Sequence, residues 1–164
     1  MTRGVAAAAC ALLAIVGCSS DPEPDRAQVT PTAAYTAIVR WELERNEPVI
    51  DDDGNVETPV IYLAAGSGGT VDVRVQADVV SDIDDAAVIR FVDDAREARD
   101  DTLDGEPVKD DGVMIMLDEF EADRVNVEAR IVRYRSIDDD DAWLLELSAA
   151  DDGAVVESAT IATE

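Results

Sequence analysis

"TVDVRVQADVVSDIDDAAVIRFVDDAREARD", residues 70–100, decides the fold, because two parses of it give different chains. Over its first ten residues Val71, Val73, Val75, Ala77 and Val79 alternate with Asp72, Arg74, Gln76 and Asp78. Successive side chains of a strand point to opposite faces, so this alternation predicts a strand. The remainder, "DDAAVIRFVDDAREARD", sets Ala87, Val88, Phe91, Val92, Ala95 and Ala98 on one helical stripe. The competing parse runs a helix over 70–83 and follows it with a strand, "AVIRFV". Periodicity prefers strand then helix, and the expected fold is built on that order.

Upstream, "VIYLAA" (60–65) reads as a short buried strand, and "GSGG" (66–69) as a flexible turn. "VIDDDGNVETP" is a turn-rich acidic loop. Before it, "TPTAAYTAIVRWELERNEP" offers Thr30 as an N-cap, Pro31 in the first turn and Pro48 as a stop, which predicts a helix. Ala34, Ile38 and Trp41 share one face of it, and Thr36, Arg40, Glu44 and Glu47 the other. Alternation of Tyr35, Ala37, Val39, Trp41 and Leu43 leaves a strand reading open, with helix preferred. Downstream of the loop "DTLDGEPVKDDG" the pattern is plainly β: "VMIML" (113–117), "RVNVEARIVRYR" (124–135), "AWLLELSA" (142–149) and "AVVESATIA" (154–162). The turns between them are short enough for antiparallel hairpins. The expected fold class is α+β, with one or two helices packed on an antiparallel sheet of about four to six strands. A cystatin-like or NTF2-like plan fits that element order by analogy alone.

The amino terminus has a different character. Arg3 precedes an apolar run from Val5 to Val16 whose one polar group is the Cys10 thiol, the layout of a secretory signal. A membrane-spanning helix needs roughly 18 or more apolar residues, so this run is too short to remain as a span. The stretch that follows, Ile15-Val16-Gly17-Cys18, resembles the lipobox of bacterial lipoproteins. The resemblance implies a diacylglyceryl group on the Cys18 sulfur, cleavage before Cys18, and acylation of the new amino terminus with a chain such as palmitate. Residues 1–17 are then a signal peptide, 18–31 a lipidated Pro-containing tether, and 32–164 a single domain. The expected address is the extracytoplasmic face of the cell membrane.

Composition narrows the chemistry. If Cys10 leaves with the signal and Cys18 carries lipid, the folded part has no thiol, which removes disulfides, cysteine nucleophiles and thiolate metal sites. Histidine is absent from the whole chain, and with it go Ser-His-Asp and Cys-His arrangements and the usual zinc sites. The net charge of −25, from 38 acidic and 13 basic residues, repels phosphate backbones, so no nucleic-acid partner is expected. It also repels anionic headgroups, so the domain should stand off its membrane. Arginine-rich, lysine-poor usage fits a GC-rich genome such as an actinobacterial one.

Acidic loops raise a calcium hypothesis at Asp51, Asp53 and Asn55 in "DDDGN", and at Asp138 and Asp140 in "DDDD". The first loop is not an EF-hand, because Tyr62 stands where its closing Glu would be, and solvated turns explain both stretches. No metal site is therefore assigned. "GSGG" lacks the Gly-Lys-Ser/Thr of a phosphate loop, and residues from Val71 on read as strand rather than helix. Paired carboxylates could hydrolyse glycosides, but most of Tyr35, Trp41, Tyr62, Phe91, Phe120, Tyr134 and Trp143 fall at core positions rather than on a sugar platform. Lys109, the only lysine, lacks a Ser-x-x-Lys spacing. "RIVRYR" (130–135) predicts ion pairing with neighbouring acids, or else a patch for an anionic envelope polymer.

"VKDDGVMIML" and "VRYRSIDDDDAWLLEL" are similar to stretches of uncharacterised actinobacterial lipoproteins, a similarity that implies no active residues. The expectation is a lipid-anchored, non-enzymatic envelope module that needs no cofactor and binds an envelope protein or small ligand. The alternative is a domain binding a small ligand or divalent cation, with enzymatic activity based on carboxylates. A pocket of apolar groups with two or three converging carboxylates would favour that alternative, and a filled core with no cavity the non-enzymatic module.

Overall fold

The computed structural model describes residues 27–46, 48–50, 53–54 and 56–162. Its first helix, α1, spans Pro31–Arg45 and begins as the sequence predicts. The Thr30 hydroxyl accepts the Ala33 N–H at 3.2 Å, satisfying one of the unpaired donors of the first turn, and Pro31 follows with no donor to lose. At the other end Asn46 leaves the helical conformation, its side-chain amide donating to the Glu42 carbonyl at 2.6 Å. Ala34 and Ile38 are fully buried, as expected. Thr36, expected on the solvent side, is buried as well and donates to Asp82 at 3.3 Å, because α1 is covered by more than the sheet alone.

Strand β1, Val60–Ala65, also lies where it was expected. The stretch after it does not follow the preferred parse. Residues Val73–Ile83 form a helix, α2, and Val88–Phe91 form a strand, β2, so the competing parse is the correct one. Two physical reasons decide it. The Asp72 carboxylate accepts the Arg74 N–H at 2.8 Å and caps the helix. The valines that alternate also contain a four-residue series: Val71, Val75, Val79 and Ile83 fall on one helical face and turn inward, while Val73 and Ala77 face solvent. Period two and period four share every second apolar residue, and nine residues could not separate them. The expected helix over 84–100 is replaced by β2 and a short 3-10 turn, Ala95–Ala98.

Four further strands complete the sheet: β3 Val113–Leu117, β4 Asn126–Ser136, β5 Asp139–Ala150 and β6 Gly153–Ile161. All four match the expected β runs. The order across the sheet is β2-β1-β3-β4-β5-β6, and β3 to β6 pair antiparallel through consecutive connections. The α+β class, the two helices and the strand count stand as expected, but the sheet is mixed rather than antiparallel. β1 runs parallel to both β2 and β3. Parallel neighbours need a crossover between them. Helix α2 supplies the one from β1 to β2, and residues 92–112 supply the one from β2 to β3. Misreading 70–100 hid both crossovers.

The two crossovers build two cores. Ile61, Leu63, Ile115, Ile131, Leu145 and Leu147 pack with α1 and α2 on one face. Tyr62, Ala64, Met114 and Tyr134 pack on the other with Val92, Ala98 and Val108 of the 92–112 crossover. The helical layer is tied to β4 by one buried ion pair: Arg133 Nε lies 3.0 and 3.1 Å from the two carboxylate oxygens of Glu42 on α1. Arg133 also reaches Asp139 at 3.4 Å, and Arg135 donates to Asn46 at 2.6 Å. Ion pairing of "RIVRYR" is thus seen, directed chiefly at the helix rather than across the sheet. Past α1, Trp41 and Trp143 meet edge-to-face at 5.5 Å, with the Arg45 guanidinium 4.3 and 4.2 Å from the two rings.

Candidate functional site

β1 and β3 lie side by side and point the same way, but the chain leaves their carboxyl ends in opposite directions. From β1 it turns through 66–72 into α2 and on to β2; from β3 it turns through 118–125 into β4. Diverging loops at such a switch point leave a crevice, the usual place for a ligand in a sheet with parallel strands. A cleft of about 400 Å³ opens there, inside the range of about 300–1,000 Å³ that small-molecule sites occupy.

Three segments wall it. Ala65 and the turn and helix start after β1 contribute Ser67, Thr70, Val71, Asp72 and Val75; Leu117 and the loop after β3 contribute Asp118, Glu119, Phe120 and Ala122; α1 contributes Pro31 and Tyr35. The Tyr35 ring rests edge-to-face against Phe91 at 6.2 Å. Its hydroxyl donates to no partner among the described residues, and burial pushes its pKa up to about 12, so it stays a neutral donor at the base of the cleft. Gly66 fixes the approach of the two loops. A Cβ there would fall 2.1 Å from the Asp118 Oδ1 and 3.1 Å from the Asp118 backbone nitrogen, so only glycine lets Asp118 lie over the turn. The Gly66 N–H meanwhile donates to the Leu117 carbonyl at 2.8 Å.

The walls are mainly apolar, and their charges carry one sign. Asp72 caps α2, whereas the Asp118 and Glu119 side chains have no hydrogen-bond or ion-pair partner among the described residues. No lysine or arginine lines the cleft. Such a site accommodates an apolar body and favours a cationic or hydrogen-bond-donating group, and its carboxylates repel anions.

Sequence reasoning did not assemble this site. "GSGG" lacks the motif of a phosphate loop and reads as a turn before a strand; the structure keeps the first statement and corrects the second, placing the turn between a strand and a helix. Asp72 fills the cap, so the turn serves the cleft by close approach rather than by cradling a phosphate. Reading 73–83 as helix is the signal that would have found it. The calcium candidates are described only in part. Asp51 and Asn55 lie outside the described residues, as does Cys18; Asp53 sits in an exposed turn, Asp138 at the tip of the β4–β5 hairpin, and Asp140 on β5 opposite Tyr134. Among the described residues no three His, Cys, Asp or Glu side chains are placed to hold a metal ion. No helix among them is long and apolar enough to cross a membrane. No protein-family model, curated protein or solved structure matches the chain.

Proposed function

We propose that this chain is a lipid-anchored binding protein of the extracytoplasmic envelope, whose cleft takes a small ligand with an apolar body and a cationic group. One observation carries the reading of the cleft: apolar walls at a switch point, with Asp118 and Glu119 unpartnered and no cation among the lining residues. Charge-assisted hydrogen bonds to such carboxylates are stronger than neutral ones, and the apolar walls add affinity in proportion to the area they bury. The anchor rests on Ile15-Val16-Gly17-Cys18 and on the short apolar run before it. One acyl chain binds a membrane reversibly, whereas the two or three that a lipobox implies hold firmly.

Titration of the isotope-labelled full chain with phenethylamine and with phenylacetate tests the cleft, since the two differ chiefly in the sign of their charge. The amine should shift the amides of 66–72 and 117–122 in a saturable way, and Asp118→Asn should weaken it severalfold. Equal binding of both compounds, or amine shifts elsewhere on the molecule, would contradict the reading. The anchor is tested by fractionation: Cys18→Ser should leave the membrane fraction or accumulate uncleaved. A fully processed Cys18→Ser protein that still sediments with membranes would remove the anchor from the proposal.

A further inference from the structure

In a chain of net charge −25, one hollow gathers cations. Between the 3-10 turn Ala95–Ala98 and the residues leading into β3 lies a space of about 530 Å³, lined by Arg96, Arg99 and Lys109 together with Asp100, Asp101 and Asp110. It lies off the crossover side of the sheet, away from the cleft, and shares no residue with it.

Two of the three carboxylates here, Asp100 and Asp110, are engaged, and of the three cations Arg96 has no partner among the described residues while Lys109 keeps donors to spare. Asp110 accepts the Tyr62 hydroxyl at 2.8 Å and is paired with Arg90. Asp100 accepts both the N–H and the hydroxyl of Thr102, at 3.1 and 2.5 Å. These bonds hold both carboxyls below the usual carboxylate range, chiefly through Tyr62 for Asp110 and through the Thr102 hydroxyl for Asp100. Asp101 is the one acid of the lining without such a partner among the described residues. Among the cations, Arg96 has no ion-pair partner among the described residues. Lys109 gives one hydrogen bond, to the Glu97 carbonyl at 2.7 Å, and keeps its other donors. The Arg99 guanidinium lies 4.2 Å from the Tyr134 ring centre and is ion-paired with Glu106 at 3.7 Å, while its Nε is buried with no hydrogen-bond partner among the described residues.

The backbone keeps this arrangement in place. Val108 N–H donates to the Arg135 carbonyl and Asp100 N–H to that of Pro107, each at 2.8 Å, and the Tyr134 hydroxyl donates to the Glu106 carbonyl at 2.9 Å. Glu106, Asp110 and Asp111 hold positive φ values of 44°, 56° and 49°, a conformation side chains seldom adopt without surrounding support.

We infer that this hollow is a binding site for a small oxyanion, a carboxylate or phosphate group held by Arg96, Arg99 and Lys109. Arginine presents its donors as a planar fork that matches both groups, and lysine adds a point charge. The inference does not rest on the cleft or on the lipid anchor. Inorganic phosphate and succinate, titrated separately into the isotope-labelled full chain at constant ionic strength, test it and tell the two sources apart. Saturable shifts confined to the amides of 96–102 and 108–110 are expected for at least one of them. Arg96 and Lys109 are exposed, so Arg96→Gln with Lys109→Gln should keep the fold. That double variant should weaken binding by about a hundredfold, at about tenfold for each charged donor removed. Absence of saturable shifts with either anion, or undiminished affinity in the double variant, overturns the inference.

Discussion

The cleft and the crossover hollow hang from the same strand and have opposite chemistry. β1 sends Ile61 and Leu63 toward the helices and Tyr62 toward the crossover. At its carboxyl end Ala65 joins a cleft of apolar walls and carboxylates, and through Tyr62 it braces Asp110 at the edge of a hollow that brings three cations among three carboxylates. The difference comes from how each crossover is made. α2 is a regular helix whose start is capped by Asp72, and the residues at that end, Val71 and Val75, offer apolar side chains to the cleft. The 92–112 segment has little regular structure, so its backbone is satisfied by side chains and distant carbonyls, and the polar residues needed for that bring charge with them.

Breaking the frame the two sites share should have the largest effect. Glu42→Ala leaves the buried Arg133 with only the half-exposed Asp139 carboxylate, and about 3 kcal/mol of stability should be lost in chemical denaturation. The double replacement Glu42→Leu with Arg133→Met should recover most of it, because apolar residues of like size remove the desolvation cost. Gly66→Ala separates the two sites. Its Cβ meets Asp118 at 2.1 Å, so it should cost about 1–3 kcal/mol and weaken amine binding while leaving the crossover hollow unchanged. Asp72→Ala acts on the same side more mildly, by about 1 kcal/mol, through loss of the α2 cap.

The pH dependence sharpens the comparison from the other side. The Asp110 carboxyl is held below its ordinary value of 3.8, first by the Tyr62 hydroxyl and then by Arg90. A lowered folded pKa gives stability that is present above 3.8 and is lost as the pH falls through the folded value. Asp110→Asn should flatten that acid limb slightly, since the group is exposed, and leave stability between neutral pH and pH 5 without a new slope. Tyr35 behaves in the opposite sense. Its raised pKa of about 12, against 10.0, gives stability that is complete below pH 10 and declines as the pH rises toward 12. Tyr35→Phe should remove that alkaline decline, and ultraviolet titration should then show one fewer late-ionising tyrosine.

Much of this architecture was legible in the sequence where local signals agreed. Thr30-Pro31 marked the start of α1, and "VMIML", "RVNVEARIVRYR", "AWLLELSA" and "AVVESATIA" each fell on a strand. The parallel half was hidden because Val71, Val75 and Val79 serve a helix as well as a strand, and because the exposed Val73 imitates the missing partner in the alternation. Parallel pairing leaves no local mark of its own. The cleft was hidden with it, since Tyr35, Ser67 and Phe120 come together only once β1 and β3 are neighbours. Glu42 gave no signal either: a single carboxylate on a helix looks solvated until an arginine from residue 133 is seen to reach it.

The cleft and the hollow are proposed to take ligands of opposite charge. Phenethylamine and succinate, titrated in turn into a single isotope-labelled sample of the full chain, test this most directly. Two sets of shifted amides that do not overlap are expected, 66–72 with 117–122 for the amine and 96–102 with 108–110 for the acid. One common set for both compounds, or no saturable shift with either, would contradict the proposal.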